Sequence, residues 1–284
     1  MSTRTSTGKI KILHCRQEKA NNNMHQGETF ARMQCDIYCE RERIENLIRQ
    51  TIWSAGAEGI VVGVSGGIDS AVALALSCGA VGKERVSAFF LPGETTPPGD
   101  EEDVHLLCTR FGLRPSTIPI TGIIQAYRST EGFVEDPQAT GNLMARTRMV
   151  LLYYHANMKN YLVMGTSNRT EYLIGYCTKW GDNAADIQPL LHLYKNQVCL
   201  LADILSIPES IQRKKPSAGL WRDQTDEEEI GMSYTELDSA LSALEENDWK
   251  AETDLEERVL SMVRKSAHKR IAPPNLAGLY PRSP

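Results

Sequence analysis

The chain has 284 residues, a formal net charge of −5 and a hydrophobic fraction of 41%, enough for one large domain with a buried core or two small ones. That balance excludes a protein whose main partner is a nucleic-acid backbone, which calls for a wide basic face. No apolar run approaches the roughly 20 residues that span a bilayer, Met1 to Gly27 is polar without a leader pattern, and seven scattered cysteines without a C-x-x-C pair indicate reduced thiols in a cytoplasmic protein.

Residues 1–33, with Asn21-Asn22-Asn23, show little periodicity and are expected to be a disordered extension; the domain proper is expected over 34–275, followed by a tail at 276–284. From Cys35 to Trp53, Ile37, Ile44, Leu47, Ile48 and Ile52 recur at helical spacing and predict an amphipathic helix. Ile60 to Val64 is a continuous apolar run, the mark of a strand covered on both faces. Ser65-Gly66-Gly67 punctuates it, and Ile68 to Cys78 predicts a helix closed by Gly79. A second strand is expected over Val86 to Leu91, then a polar loop from Pro92 to Gly99 and a helix over Glu101 to Phe111. Thr117 to Ile120 predicts a short third strand, Gly141 to Lys159 a long helix, and Tyr161 to Met164 a fourth strand ending at Gly165-Thr166-Ser167. Strands alternating with helices imply an α/β fold with a doubly wound, mostly parallel sheet. Beyond Pro189 the pattern is helical: Lys195 to Leu205, a helix opened by the capping box Ser233 to Glu236, and another carrying Leu255, Val259, Met262 and Val263. Lys214 to Glu229, rich in charge and turn formers, is expected to be a mobile loop.

The strongest feature is Gly63-Val64-Ser65-Gly66-Gly67-Ile68-Asp69-Ser70, set between a buried strand and a helix. Glycines let the backbone turn tightly and bring its N–H groups to an anion, and the helix N-terminus adds partial positive charge. Ser65 and Ser70 supply hydroxyls, and Asp69 can hold a magnesium ion against phosphates. No lysine follows the glycines, so the loop is not of the Walker type.

This string resembles the SGGxDS loop of the N-type ATP pyrophosphatases, which cleave ATP between the α and β phosphates and transfer AMP to a substrate oxygen. Downstream, Gly141-Asn-Leu-Met-Ala-Arg146-Thr-Arg148-Met149, Gly165-Thr166-Ser-Asn168, Glu171, Lys179-Trp-Gly-Asp182, Asp186, Lys195, Lys215-Pro-Ser217, Gln224-Thr-Asp226 and His268-Lys269-Arg270 occur in one order. Together, over roughly residues 36 to 275, they resemble the NAD synthetase family. The resemblance implies a Rossmann-like fold of the adenine nucleotide α-hydrolase type with a helical C-terminal part. It also implies ATP-dependent amidation of deamido-NAD by ammonia, through an adenylate, to NAD, AMP and pyrophosphate. ATP contacts are implied for Gly63 to Ser70, Thr166, Lys195 and Ser217, magnesium ligation for Asp69 and Glu171, and deamido-NAD contacts for Arg146, Lys179, Asp186, His268 and Lys269. Arg146 and Arg148 are not separable by chemistry; the alignment favours Arg146. Catalytic roles fall to Asp69, Glu171 and Lys195, a homodimer is implied, and Asp182 or Asp226 is a candidate for deprotonating ammonium.

Two acids converging on a triphosphate repel, so a metal is expected between Asp69 and Glu171. Only about 60 residues precede the phosphate loop, short for a separate glutaminase domain on ordinary size grounds. Cys177, Trp180, Asn183-Ala184 and Asp223 depart from the family pattern without removing an expected charge or hydroxyl. The alternatives are another ATP pyrophosphatase, GMP synthetase-like or tRNA-thiolating, and a nucleotide-binding relative that has lost its chemistry. Asp69, Glu171 and Lys195 together speak against the last.

Overall fold

In the computed structural model the sheet has four parallel strands in the order β3-β2-β1-β4: β1 (Gly59–Gly63), β2 (Val86–Phe90), β3 (Ser116–Thr117) and β4 (Tyr161–Met164). The structure describes residues 26–217, 219 and 225–273, the side chains of 26–36 excepted. Residues 1–25, the tail at 276–284 and Asp223 lie outside the described residues. The chain divides into two units, Met1–Asp36 and Ile37–Pro284. Of the first, only the helical backbone from Gln26 is described, as the start of α1 (Gln26–Ala55). The second contains all four strands of the sheet.

The apolar run of β1 has a simple cause. Ile60, Val62 and Val64 face one layer, where they meet Ile44 and Ile48 of α1, Leu74 of α2 (Ile68–Val81) and Val198 and Leu201 of α7 (Lys195–Ile204). Val61 faces the other, with Phe89, Val163, Met144 of α5 (Pro137–Lys159) and Ile120 and Ile124 beside α4 (Thr121–Arg128). Both faces are therefore dry, and alternation has no polar side to show. β1 pairs with β2 in the register Ile60↔Val86 and with β4 in the register Ile60↔Leu162. The chain thus leaves β1 in one direction and returns on its other side, and the crevice above the carboxyl ends of β1 and β4 is the switch point where such sheets bind ligands. A parallel bridge, Met164↔Ile187, extends the pairing beyond β4.

Several elements depart from expectation. Helix α2 runs through Gly79 and ends at Gly82, whose φ of 80° is the left-handed stop. Gly79 is small because a side chain there would strike Glu45 of α1. Helix α3 (Pro98–Arg110) starts inside the expected loop, and β3 stops at Thr117 because Ile120 begins the turn into α4. Helix α5 begins at Pro137, capped by Asp136, whose carboxylate accepts from Ala139 N–H at 2.7 Å. The expected loop from 214 to 229 contains α9 (Asp226–Ile230), and α8 (Glu209–Gln212) precedes it.

The helical C-terminal part has its own apolar cluster. Leu237, Leu241 and Leu244 of α10 (Tyr234–Glu246) pack with Val259 and Val263 of α11 (Asp254–Lys265) and with Leu173 and Ile174 of α6 (Arg169–Ile174). The Ser233 capping box is formed, with Glu236 N–H donating to Ser233 Oγ at 3.2 Å and Glu236 Oε2 accepting from Ser233 N–H at 2.8 Å. Among the described residues no helix is long and apolar enough to cross a membrane, and Cys78, Cys108, Cys177 and Cys199 are free thiols.

Candidate active site

Above the switch point lies a cavity of about 440 Å³, within the range of small-ligand sites. Its floor is the loop from Gly63 to Ser70. The loop is preformed: Ser65 N–H donates to Ser70 Oγ at 3.1 Å, Ser70 Oγ donates to Gly67 O at 2.9 Å, and Gly67 N–H donates to Ser65 Oγ at 3.3 Å. Ser70 Oγ thus braces the loop from within. Gly66 has a φ of 80°, and a Cβ there would sit 3.2 Å from the backbone of Asp100. Helix α2 has no side-chain cap at Gly67, so its first N–H groups are left for an anion.

The structure brings the three expected catalytic residues together. Lys195, at the start of α7 and only 4% exposed, donates to Asp69 Oδ2 at 2.5 Å and to Glu171 Oε1 at 3.2 Å. Asn168, the cap of α6, donates from Nδ2 to Asp69 Oδ1 at 3.0 Å and accepts from Glu171 N–H at 3.0 Å. The ammonium of Lys195 thus bonds both carboxylates and offsets their mutual repulsion.

Burial raises Glu171 to about 7, with Asp69 and Asp226 adding to the rise and Lys195 opposing it. Burial alone would lower Lys195, but Asp69 and Glu171 outweigh it and hold the ammonium charged far above neutrality. Two carboxylates beside a phosphate loop are hard oxygen donors of the kind a nucleotide-bound magnesium takes, with phosphate oxygens and water completing its shell. Among the described residues no group of three or more acids, histidines or cysteines is arranged to hold a metal without such help.

A second layer was not anticipated from the sequence. The Tyr234 hydroxyl, buried at the start of α10, lies 3.1 Å from Glu171 Oε1 and 2.9 Å from Asp226 Oδ2. The Lys195 ammonium sits 4.9 Å above its ring. Tyr176 in turn reaches Asp226 Oδ1 at 3.0 Å and Glu229 Oε2 at 2.7 Å. Burial and the surrounding acids push both phenols up, so they remain protonated donors. Tyr234 follows the capping serine of a helix, where an aromatic is usually solvent-facing; only tertiary placement reveals it.

The remaining expected residues divide into two groups, with Asp186 outside both. Thr166, Ser217 and Lys269 line the cavity; the Lys269 ammonium donates to Gly175 O and Cys177 O, both at 2.8 Å. Arg146, Lys179 and His268 are not in its wall and gather outside it. Arg146 Nη2 donates to Lys179 O at 3.2 Å, the Lys179 ammonium donates to His268 O and, at 3.3 Å, to Ile271 O, and the His268 ring faces Lys265 O at 3.2 Å. Asp186 stands apart: Oδ2 accepts from Val163 N–H at 2.8 Å and Oδ1 from the Tyr153 hydroxyl at 3.3 Å. Asp182, reachable from the cavity yet ringed by protein, accepts from Thr178 N–H at 2.8 Å, and burial raises its carboxyl above the usual range.

A parallel sheet with a glycine-rich anion loop at its switch point, flanked by acid, ammonium and acid, defines a nucleotide-binding α/β protein equipped to handle phosphates. The NAD synthase family model matches residues 40–273. The NH3-dependent NAD+ synthetase of Methanoregula boonei is 51% identical over 241 residues, 85% of this chain and 97% of the relative. Two solved structures share the fold: NMN synthetase from Francisella tularensis, 36% identical with a TM-score of 0.77, and NH3-dependent NAD synthetase from Campylobacter jejuni, 33% identical with a TM-score of 0.73. The alignment to each covers 84% of this chain and 98% of the other. The chain belongs to the NAD synthase family.

Proposed function

We propose that this chain is an NH3-dependent NAD+ synthetase. The nicotinate carboxylate of deamido-NAD attacks the α-phosphorus of ATP, pyrophosphate leaves, and ammonia then displaces AMP from the acyl-adenylate to give the amide of NAD. A carboxylate oxygen is a poor leaving group and AMP a good one, so the protein's share is positioning and charge stabilisation. The observation that carries this reading is the Asp69–Lys195–Glu171 cluster beside the preformed anion loop, in a chain that covers 97% of an NH3-dependent NAD+ synthetase.

The amides of the loop and the uncapped start of α2 receive the β and γ phosphates, and Lys195 neutralises charge on the departing pyrophosphate. Asp69 and Glu171 would hold magnesium, which when bound offsets charge on the triphosphate. Thr166, Ser217 and Lys269, placed in the wall, are assigned to the nucleotides. Arg146, Lys179 and His268 are assigned to the part of deamido-NAD that lies outside the cavity; Asp186 keeps its expected substrate role only as an expectation of family likeness. Asp182 is the candidate base for ammonium, supported by its raised carboxyl. The catalytic domain is assigned to 34–275. A homodimer is supported by the apolar stripe Val150, Tyr154 and Met158, exposed at 57%, 58% and 70% on the helix that carries Arg146. Exposed apolar stripes of this kind mark contact surfaces.

Purified protein with ATP, magnesium, ammonium and deamido-NAD is expected to release NAD and pyrophosphate in equal amounts, and glutamine in place of ammonium to give none. No NAD, with ATP consumed on another carboxylate, would overturn the assignment. A second reading, amidation of the mononucleotide acid, is favoured by the likeness to an NMN synthetase. The ratio of kcat/KM for the two acids decides between them.

A further inference from the structure

The cavity wall carries an arginine that the assignments above leave without a task, beside Lys214, which is bonded to Asp100 and Asp103, and Lys215. Helix α5 runs antiparallel to the strands into β4, so its N-terminal half stands at the carboxyl edge of the sheet. Leu152 packs on Gly63, where the anion loop begins, its Cδ1 3.1 Å from where a Cβ of that glycine would be. Arg148 lies one turn nearer the cavity mouth on the same face, and its side chain is part of the cavity wall. Nε donates to Leu91 O at the end of β2, at 2.9 Å, and Nη2 comes within 3.3 Å of where a Cβ of Gly93 would be. The guanidinium is therefore held at Nε by a backbone carbonyl, and Gly93, lacking a Cβ, leaves room beside Nη2.

Among the described residues no carboxylate forms an ion pair with it. Asp182 acts on it only through space, while burial works against its charge. A guanidinium always carries its charge in a protein and offers five N–H groups in a planar fork. Held in protein without a bonded anion, it is costly unless a ligand supplies the negative oxygen. Its neighbour Arg146, by contrast, is exposed and outside the cavity wall.

We propose that Arg148 binds the α-phosphate oxygens of ATP and of the adenylate formed from it, an inference that rests on the proposed synthetase reading. The adenosine half of the nucleotide is neutral and offers no compensating charge. The β and γ phosphates already have the loop amides and Lys195. The nicotinate carboxylate loses its charge on adenylation, whereas the α-phosphate keeps an anionic oxygen through both steps. A forked donor there stabilises the charge that accumulates as the carboxylate attacks phosphorus and holds AMP in line as ammonia arrives.

Calorimetric titration of AMP and of adenosine into wild type and Arg148→Met separates phosphate from base contacts without requiring turnover. AMP is expected to bind roughly 10- to 100-fold more weakly to the variant, the loss of a charge-assisted hydrogen bond, while adenosine stays within about twofold. Arg148→Lys, which keeps the charge but not the fork, is expected to fall between. An equal loss for adenosine would place Arg148 on the base or ribose, and an unchanged AMP affinity would remove it from the phosphate; either overturns the proposal. If Arg148→Met does not fold, Arg148→Gln carries the same contrast. Wild-type protein that makes no NAD, with the AMP contrast intact, would sink the synthetase reading and leave the phosphate contact standing.

Discussion

Replacing Lys195 by methionine removes the ammonium that bonds both Asp69 and Glu171 while keeping a side chain of similar length. Its own side chain is 5% exposed and those of the two acids are 17% and 16%, so the cluster is largely withdrawn from bulk water. Deleting one partner of a buried pair leaves uncompensated charge and costs about 3–5 kcal/mol. For a domain of this size that corresponds to a fall in melting temperature of roughly 6–20 °C. The deficit should depend on pH. Glu171 is already raised to about 7 by burial in the wild type, against an ordinary value of 4.5. Without the ammonium it rises further, so the folded variant holds a proton that the unfolded chain releases. Where the folded state binds more protons, stability falls as pH rises. The variant is therefore expected to lose most against wild type at about pH 8.5 and to recover much of the gap at about pH 5.5. The raised Lys195 of the wild type keeps its contribution throughout this range, because it titrates far above it. Scanning calorimetry at the two pH values is the assay. A deficit equal at both, or none at the alkaline one, would refute the electrostatic account of the cluster.

Asp69→Asn is expected to cut NAD formation about 100-fold, the scale of losing a positioned electrostatic group, with excess magnesium restoring part of it in steady-state assays. Gly66→Ala forces a left-handed backbone on an L side chain and crowds Asp100, so about 1–2 kcal/mol of strain should emerge as a raised KM for ATP. Tyr234→Phe strips a hydroxyl from both Glu171 and Asp226, leaving buried acceptors that cost about 1–3 kcal/mol; melting temperature and kcat should both fall. Tyr154→Glu on the exposed stripe of α5 should shift light scattering towards monomer and reduce NAD formation more than AMP binding.

The parts of the fold legible in the sequence are those whose cause is local or periodic. Ile60 to Val64 announces a strand covered on both faces because its apolar run is unbroken, and Ser233 to Glu236 announces a helix start because its capping bonds span three residues. Short helices escaped. Helix α6 has six residues and stands on the Asn168 cap and on packing of Leu173 and Ile174 against α10 and α11, which no window of its own sequence displays. Gly79 resembled a stop because glycine usually is one; its real constraint is Glu45, far away in the chain.

At the site, family likeness pointed to Asp69, Glu171 and Lys195, the first more than 100 residues from the other two, and the structure brings them within hydrogen-bond reach. Chemistry alone could not tell Arg146 from Arg148, since two positions on one helix differ only in which way they face, and the likeness favoured Arg146. Tyr234 was hidden because its partner Glu171 lies 63 positions away.

Asp69 is carried by the helix that packs under the sheet, whereas Glu171 belongs to the six-residue helix seated on the C-terminal apolar cluster. Asp238 clasps the two bodies, accepting from the Thr170 hydroxyl at 2.5 Å and from Asn196 N–H at 2.9 Å. The paired acids thus straddle a fault line. A methyl group gained or lost deep in either hydrophobic body can slide one acid past the other, so distant repacking is a route by which turnover can be tuned while every polar group around the nucleotide stays the same.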